Sequence, residues 1–419
     1  MSNVIAPDKV AVELERLYAL EDDVLNNPYP LYAAIREHQP VLRVGPQVSV
    51  SRYEDVKNVL RDNETFSSDR RESSTVKARM AELTPEQKAK YEALLDYDSR
   101  IIPQMDEPQH GRMRRFVNET FSAKRIEAMR DQLFHIANTQ LDQAVAKDGG
   151  RFDLIQDYSI HVPLRAICSI LAVPESDAET VLAWGAEITK GIGTQFSNVD
   201  EAYEALMNFN VYVGDLIADA RKHPGGEDLI SQLVVATDDE GVHLTDEDLK
   251  GIFVQMLVSG NTNTLIANAV IALDRNPEQK ALLLQDLTRT RPAVEEFLRY
   301  CPSIHAIHRM SVEDTEIAGF PVRKGETIRL LLASANHDDA KFERAEELDI
   351  TRKNARQHVG IGYGIHTCLG QWLLRLDAEA ALMVLYERHP ELRITGPVQN
   401  RKTFTMHGPQ FLEVEVDVR

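Results

Sequence analysis

His358-Val359-Gly360-Ile361-Gly362-Tyr363-Gly364-Ile365-His366-Thr367-Cys368-Leu369-Gly370 runs directly into sequence that favours a helix. Gly360, Gly362 and Gly364 let the backbone turn tightly and lie close against a flat surface. A cysteine just before a helix N-terminus has its anionic form favoured by the exposed N–H groups there. Cys368 therefore reads as a metal ligand or a nucleophile, and the loop alone leaves both open.

The composition narrows the setting. The chain has 419 residues, 43% of them hydrophobic and 27% charged, which suits a large packed core and excludes general disorder. Forty-seven Lys and Arg against 66 Asp and Glu leave a net charge of −19. That balance argues against nucleic acid or an anionic membrane as a general partner. Cys168, Cys301 and Cys368 are odd in number and lack zinc-site spacing, which fits a reducing compartment. Neither a signal-like N-terminus nor a run of ~20 apolar residues is apparent, so a soluble, cytoplasmic protein is expected.

Apolar residues recur at three- and four-residue steps over 131–146, 201–222, 246–274, 291–300 and 370–387, which predicts helices. Strand-like pieces fall at 41–51, 315–332 and 410–418. The expectation is a mainly α fold with a small β region assembled from distant pieces, in a single domain over 1–419. Residues 68–105 are polar and charged and read as a long mobile excursion with one short helix near 84–95.

Four motifs in order carry a family resemblance. They are Asp106-Glu107-Pro108-Gln109-His110-Gly111-Arg112-Met113-Arg114, Glu296-Phe297-Leu298-Arg299, Ala335-Asn336-His337-Asp338, and the glycine-rich loop at 358–370. Together they resemble the bacterial cytochrome P-450 superfamily of haem-thiolate monooxygenases, over nearly the whole chain. The resemblance implies a triangular, helix-rich prism around a buried haem b, with Cys368 as axial thiolate. Such a ligand pushes electron density towards the iron. Gly362, Gly364, Gly370 and Ile361 would line the haem loop, where Ile361 replaces the family's usual Phe. His110, Arg114, Arg309 and His366 would hold the propionates, which need cationic or hydrogen-bonding partners. Glu296, Arg299 and Arg352 would form the structural ion pair behind the haem, while Cys168 and Cys301 read as packed thiols.

The helix at 246–274 matches the one that crosses the oxygen-binding face, with Gly260 opening a groove. There the family usually places an acid and a threonine, and this chain has Thr262 and Asn263. Asn263 donates hydrogen bonds but is a poor acid, so Thr262, Asn263 and Thr264 are the catalytic candidates. Val258, Ser259, Ile304, His305, Ile307 and Phe404 are expected to line the substrate site. Arg112 and Arg115 are candidates for the redox-partner surface.

The expected activity inserts one atom of dioxygen into a small or medium-sized organic molecule with a polar handle. Electrons would come from a separate ferredoxin and ferredoxin reductase, since no flavin or iron–sulfur module is evident. A peroxide-using, oxidative coupling or dealkylating enzyme is the alternative within catalysis, and a non-catalytic haem sensor is the alternative outside it.

Overall fold

The computed structural model describes residues 5–118, 121–192, 198–223, 225–226, 228–258 and 261–418. Ser259 and Gly260 lie outside these residues, as does the side chain of Val258. Contacts divide the chain into two compact units. The first comprises Met1–Phe66, Ile126–Pro163 and Asn261–Arg419, and the second comprises Ser67–Arg125 and Leu164–Gly260.

The first unit holds the main sheet. Val41–Val44 and Gln47–Val50 form an antiparallel hairpin turned at Gly45 (φ +55°) and Pro46. Glycine is the residue that reaches positive φ in a two-residue hairpin without steric cost. Gln47–Val50 then pairs in parallel with Thr327–Leu331, which pairs antiparallel with Ala306–Ser311. Thr327–Leu331 is buried at every position, as a strand covered on both faces must be. Val48, Val50, Ile328, Leu330 and Phe342 build the core on one side. Leu14, Tyr32, Ile35, Leu331 and Phe404 belong to a second cluster.

The predicted strand regions are partly redistributed. Residues 315–317 and 320–322 make a separate hairpin. Glu413–Glu415 pairs with Arg151–Asp153 and Arg393–Ile394 rather than joining the main sheet. Ala306–Ser311 supplies the main-sheet strand not anticipated from sequence. It carries His308 and Arg309 among its apolar residues, which blurs the alternation.

In the second unit, residues 68–105 are more ordered than their polarity suggests, with helices at Ser74–Glu82 and Pro85–Asp98. Thr84 and Gln87 cap the latter reciprocally, each side chain accepting the other's backbone N–H. A buried Arg70–Asp98 pair ties the ends of the segment together. The long helix Val199–Lys222 packs in the same unit as Ala178–Ile192 and Asp246–Val258. One correction concerns hydropathy. Asp246–Arg275 is long and apolar enough to cross a membrane, but 93% of its most apolar window is buried inside the protein, as in a core helix.

The electrostatic centre of the first unit is the helix Thr290–Tyr300. Glu296 and Arg299, fully buried and one turn apart, form a bidentate pair at 2.7 and 2.8 Å. Arg299 also donates to the carbonyls of Asn336, Ala345 and Glu347. Arg352 reaches Glu296 at 3.2 Å, and the Asp349 amide donates to the same oxygen at 3.0 Å. With both Glu296 oxygens and all three Arg299 nitrogens engaged, removing one partner strands a buried charge at a cost of about 3–5 kcal/mol. Glu296→Ala is expected to lose that much stability and to fail to retain the haem that the resemblance implies, read by denaturant unfolding and by haem content after expression. A variant that is normally stable and fully loaded contradicts the assignment.

Candidate haem-thiolate site

The glycine loop owes its shape to three backbone constraints. Gly362 and Gly364 adopt φ of +76° and +74°, where a side chain is strained. A Cβ on Gly360 would lie 2.2 Å from the Leu298 carbonyl oxygen, so only glycine permits that approach. The loop closes through Cys368 N–H donating to Ile361 O at 2.9 Å, and Thr367 N–H to Gly364 O at 3.1 Å. The helix Gln371–Arg388 starts immediately after Gly370.

Residues that the sequence reading did not assign to the site anchor the loop. Asn336, fully buried, donates to Leu298 O and accepts from Val359 N–H at 2.8 Å. This links the third and fourth sequence motifs to the helix Thr290–Tyr300. Glu295 accepts from His358 Nε2 at 3.3 Å and from Arg375 at 2.7 and 3.2 Å. His358 Nδ1 accepts the Gly360 N–H at 3.1 Å, which fixes the tautomer. The only sequence signal for this was a second glutamate preceding Glu296.

Burial alone would raise the Glu295 carboxyl, but hydrogen bonds from His358 and Arg375 and the Arg375 charge hold it at about 2. Burial keeps His358 below its ordinary value despite Glu295, so the charge facing Glu295 comes chiefly from Arg375.

The three cysteines differ in setting. Burial pushes Cys168 up to about 11 and Cys301 upwards as well, as for inert packed thiols. Cys368 is half-buried, and residues 361–370 are all at least partly exposed while Val359 and Gly360 behind them are buried. A half-buried thiol on an open, glycine-rich face suits a flat macrocycle bound through sulfur, because the backbone is bare enough there for close approach. Arg309, buried on the strand Ala306–Ser311, and His366, two residues before Cys368, supply polar groups in the same unit. The donor set fits a haem with thiolate ligation.

A family model for cytochrome P-450 matches residues 267–389. The chain is 34% identical over 386 residues to the cytochrome P-450 monooxygenase PikC of Streptomyces venezuelae, covering 90% of this chain and 88% of that protein. It is 32% identical over 375 residues to the vitamin D(3) 25-hydroxylase of Pseudonocardia autotrophica, covering 88% of each. The chain belongs to the cytochrome P-450 family. Its fold agrees: the cytochrome P-450 BioI, solved with a hexadec-9Z-enoic acid-ligated acyl carrier protein, superposes with a TM-score of 0.84 at 28% identity, covering 94% of this chain and 99% of that one. As a cytochrome P-450, the protein is a monooxygenase that uses haem with cysteine thiolate ligation, dioxygen, a small-molecule substrate and a redox partner.

The other candidate residues of this cytochrome P-450 fall into several settings. Thr262, Asn263 and Thr264 are buried in the first turn of the helix Thr262–Arg275, and Thr264 Oγ1 donates to Asn263 Oδ1 at 3.4 Å. Ile304 and Ile307 are partly buried against the sheet core. His305 and Phe404, expected to line the substrate site, are both buried. His305 is buried, hydrogen-bonded to Tyr32, and stacked on His407 at 4.2 Å. Phe404 packs edge-on against Tyr18 and under the Arg329 guanidinium. Both are buried, their partners coming from segments distant in sequence. In the second unit, His110 is buried on the helix Gln109–Asn118 and donates to Glu107 at 3.2 Å. Burial keeps it below its ordinary value, and Arg114 on the next turn adds to that. Arg112 is engaged by Asp238 at 2.7 Å, whereas Arg115 is exposed.

The anchoring network predicts acid sensitivity. Glu295 is lowered from 4.5 to about 2, so its stabilisation is complete above the unfolded value and disappears as pH falls through the folded one. His358 is lowered from 6.5. The unfolded chain therefore takes up its proton first, and stability again falls as pH drops below about 6.5. Thermal melts are expected to show Tm declining below pH ~6 and steeply below ~4.5, with the lower step flattened in Glu295→Gln. Parallel profiles for both proteins contradict this assignment.

Proposed function

We propose that this cytochrome P-450 is a cytoplasmic monooxygenase that inserts one oxygen atom into a small or medium-sized organic substrate, with two electrons from a ferredoxin and its reductase. The observation that carries this reading is Cys368, half-buried at the mouth of a helix on a loop built from glycines. The group would be haem b, held by Cys368 through its thiolate and by Arg309 and His366 at its propionates. His110 and Arg114 carry the same propionate role through the motif around them. When bound, the haem supplies dioxygen activation.

The chain's own residues supply the rest. Ile304 and Ile307 give an aliphatic lining that binds substrate by excluding water. Thr264 occupies the carbonyl oxygen of Asn263, which leaves the amide NH2 as the donating end towards an oxygen ligand. Asn263 orients and holds; as a poor acid it does not itself deliver the protons that oxygen reduction consumes. Relatives named for vitamin D(3) hydroxylation and crystallised with an acyl carrier protein carrying a fatty acid support a largely apolar substrate with a polar handle. Arg115 remains on the redox-partner surface, with Arg112 a lesser contributor because Asp238 neutralises it.

The Thr262/Asn263 pair also favours a second reading, in which the enzyme uses peroxide and so bypasses proton delivery. Turnover of a substrate that shifts the spin state separates the two. The leading reading expects product with ferredoxin, its reductase and dioxygen, and little with peroxide alone; the reverse pattern selects the second. In the coupled system, Asn263→Ala is expected to release more hydrogen peroxide per product formed, by roughly threefold to tenfold for loss of one hydrogen bond of about 1 kcal/mol. Unchanged coupling would remove Asn263 from the mechanism.

A further inference from the structure

Two hydrogen-bond paths leave the Glu295 carboxylate and meet at the peptide groups of Cys368. The first passes to His358 Nε2 at 3.3 Å, from His358 Nδ1 to the Gly360 N–H at 3.1 Å, and through the next residue, Ile361, whose carbonyl accepts the Cys368 N–H at 2.9 Å. The second passes to Arg375 at 2.7 and 3.2 Å, and from Arg375 to the Gln371 carbonyl and side-chain oxygens at 3.0 and 3.2 Å. The Gln371 N–H then donates to the Cys368 carbonyl at 3.3 Å. A single buried carboxylate thus grips the loop ten residues before Cys368 and the helix seven residues after it.

We propose that Glu295 is the positioning residue of the thiolate ligand, holding the Cys368 sulfur in the orientation that keeps it bound to iron as thiolate. The proposal rests on the haem-thiolate reading and goes beyond the Glu296 pair, which points the other way, to Arg299 and Arg352. Adjacent residues on a helix project about 100° apart, so the two carboxylates serve different partners. Arg356, also near Glu295 at 3.5 Å, is 76% exposed and adds little to the grip. Groups that orient metal ligands from behind typically change affinity or activity roughly 10–100-fold when removed.

The test uses haem-loaded protein and the reduced, carbon monoxide-bound difference spectrum, which distinguishes thiolate from thiol ligation. Glu295→Gln keeps the size and loses the charge; Arg375→Met breaks the second path and leaves His358 in place; Arg375→Lys restores a cation. The expected result is that Glu295→Gln and Arg375→Met convert from the thiolate-type to the thiol-type band roughly tenfold faster or more than the parent, with Arg375→Lys intermediate. A merely structural role would lower Tm and haem yield while leaving the band of the folded, loaded fraction unchanged. That unchanged band in Arg375→Met, or in Glu295→Gln where it folds, overturns the proposal. A parent protein that never shows the thiolate-type band overturns the haem-thiolate reading instead.

Discussion

Glu295 and Glu296 leave one buried helix in different directions, and the organisation of the first unit depends on how each is neutralised. Burying two adjacent carboxylates is tolerable only when each finds cations and N–H donors. Glu296 recruits Arg299, Arg352 and the Asp349 amide; Glu295 recruits His358 and Arg375. These contacts bring residues 336–352, 358–360 and 371–375 onto one helix, far apart as they are in sequence. The cysteine loop is therefore a consequence of buried charge pairing as much as of its own glycines.

On the proposed function, the two faces of the catalytic centre differ in how closely they keep to the family pattern. On the thiolate side the chain departs at Ile361, where an aliphatic residue replaces an aromatic one. On the oxygen side it departs at Thr262 and Asn263, where neither residue is an acid. Thr264 donates to the Asn263 side-chain oxygen within the first helical turn, which fits the proposed role of Asn263 as a donor rather than a proton carrier.

Much of this was legible in the sequence because the signals are local. Gly362 and Gly364 mark positive φ, and Cys368 sits before a helix. Glu296 and Arg299 are one turn apart, and the helical periodicity at 291–300 and 370–387 is regular. What was not legible depends on distant segments meeting. His305 looked like a pocket residue, yet Tyr32 and His407, hundreds or a hundred residues away, close around it. Glu295 drew no assignment from sequence, because its role depends on His358 and Arg375 folding onto it. In the polar segment 68–105 the helix near 84–95 was legible, but Ser74–Glu82 was not, because it buries only Val76 of its own residues.

The claim on which the rest turns is that Cys368 is the iron ligand. X-ray absorption at the iron edge of the haem-loaded protein reads the ligand atom directly. The account predicts one sulfur in the first coordination shell of the parent, replaced by nitrogen in a Cys368→His variant that still holds haem. A parent shell of nitrogen and oxygen alone, or a sulfur that persists after Cys368 is replaced, would contradict it.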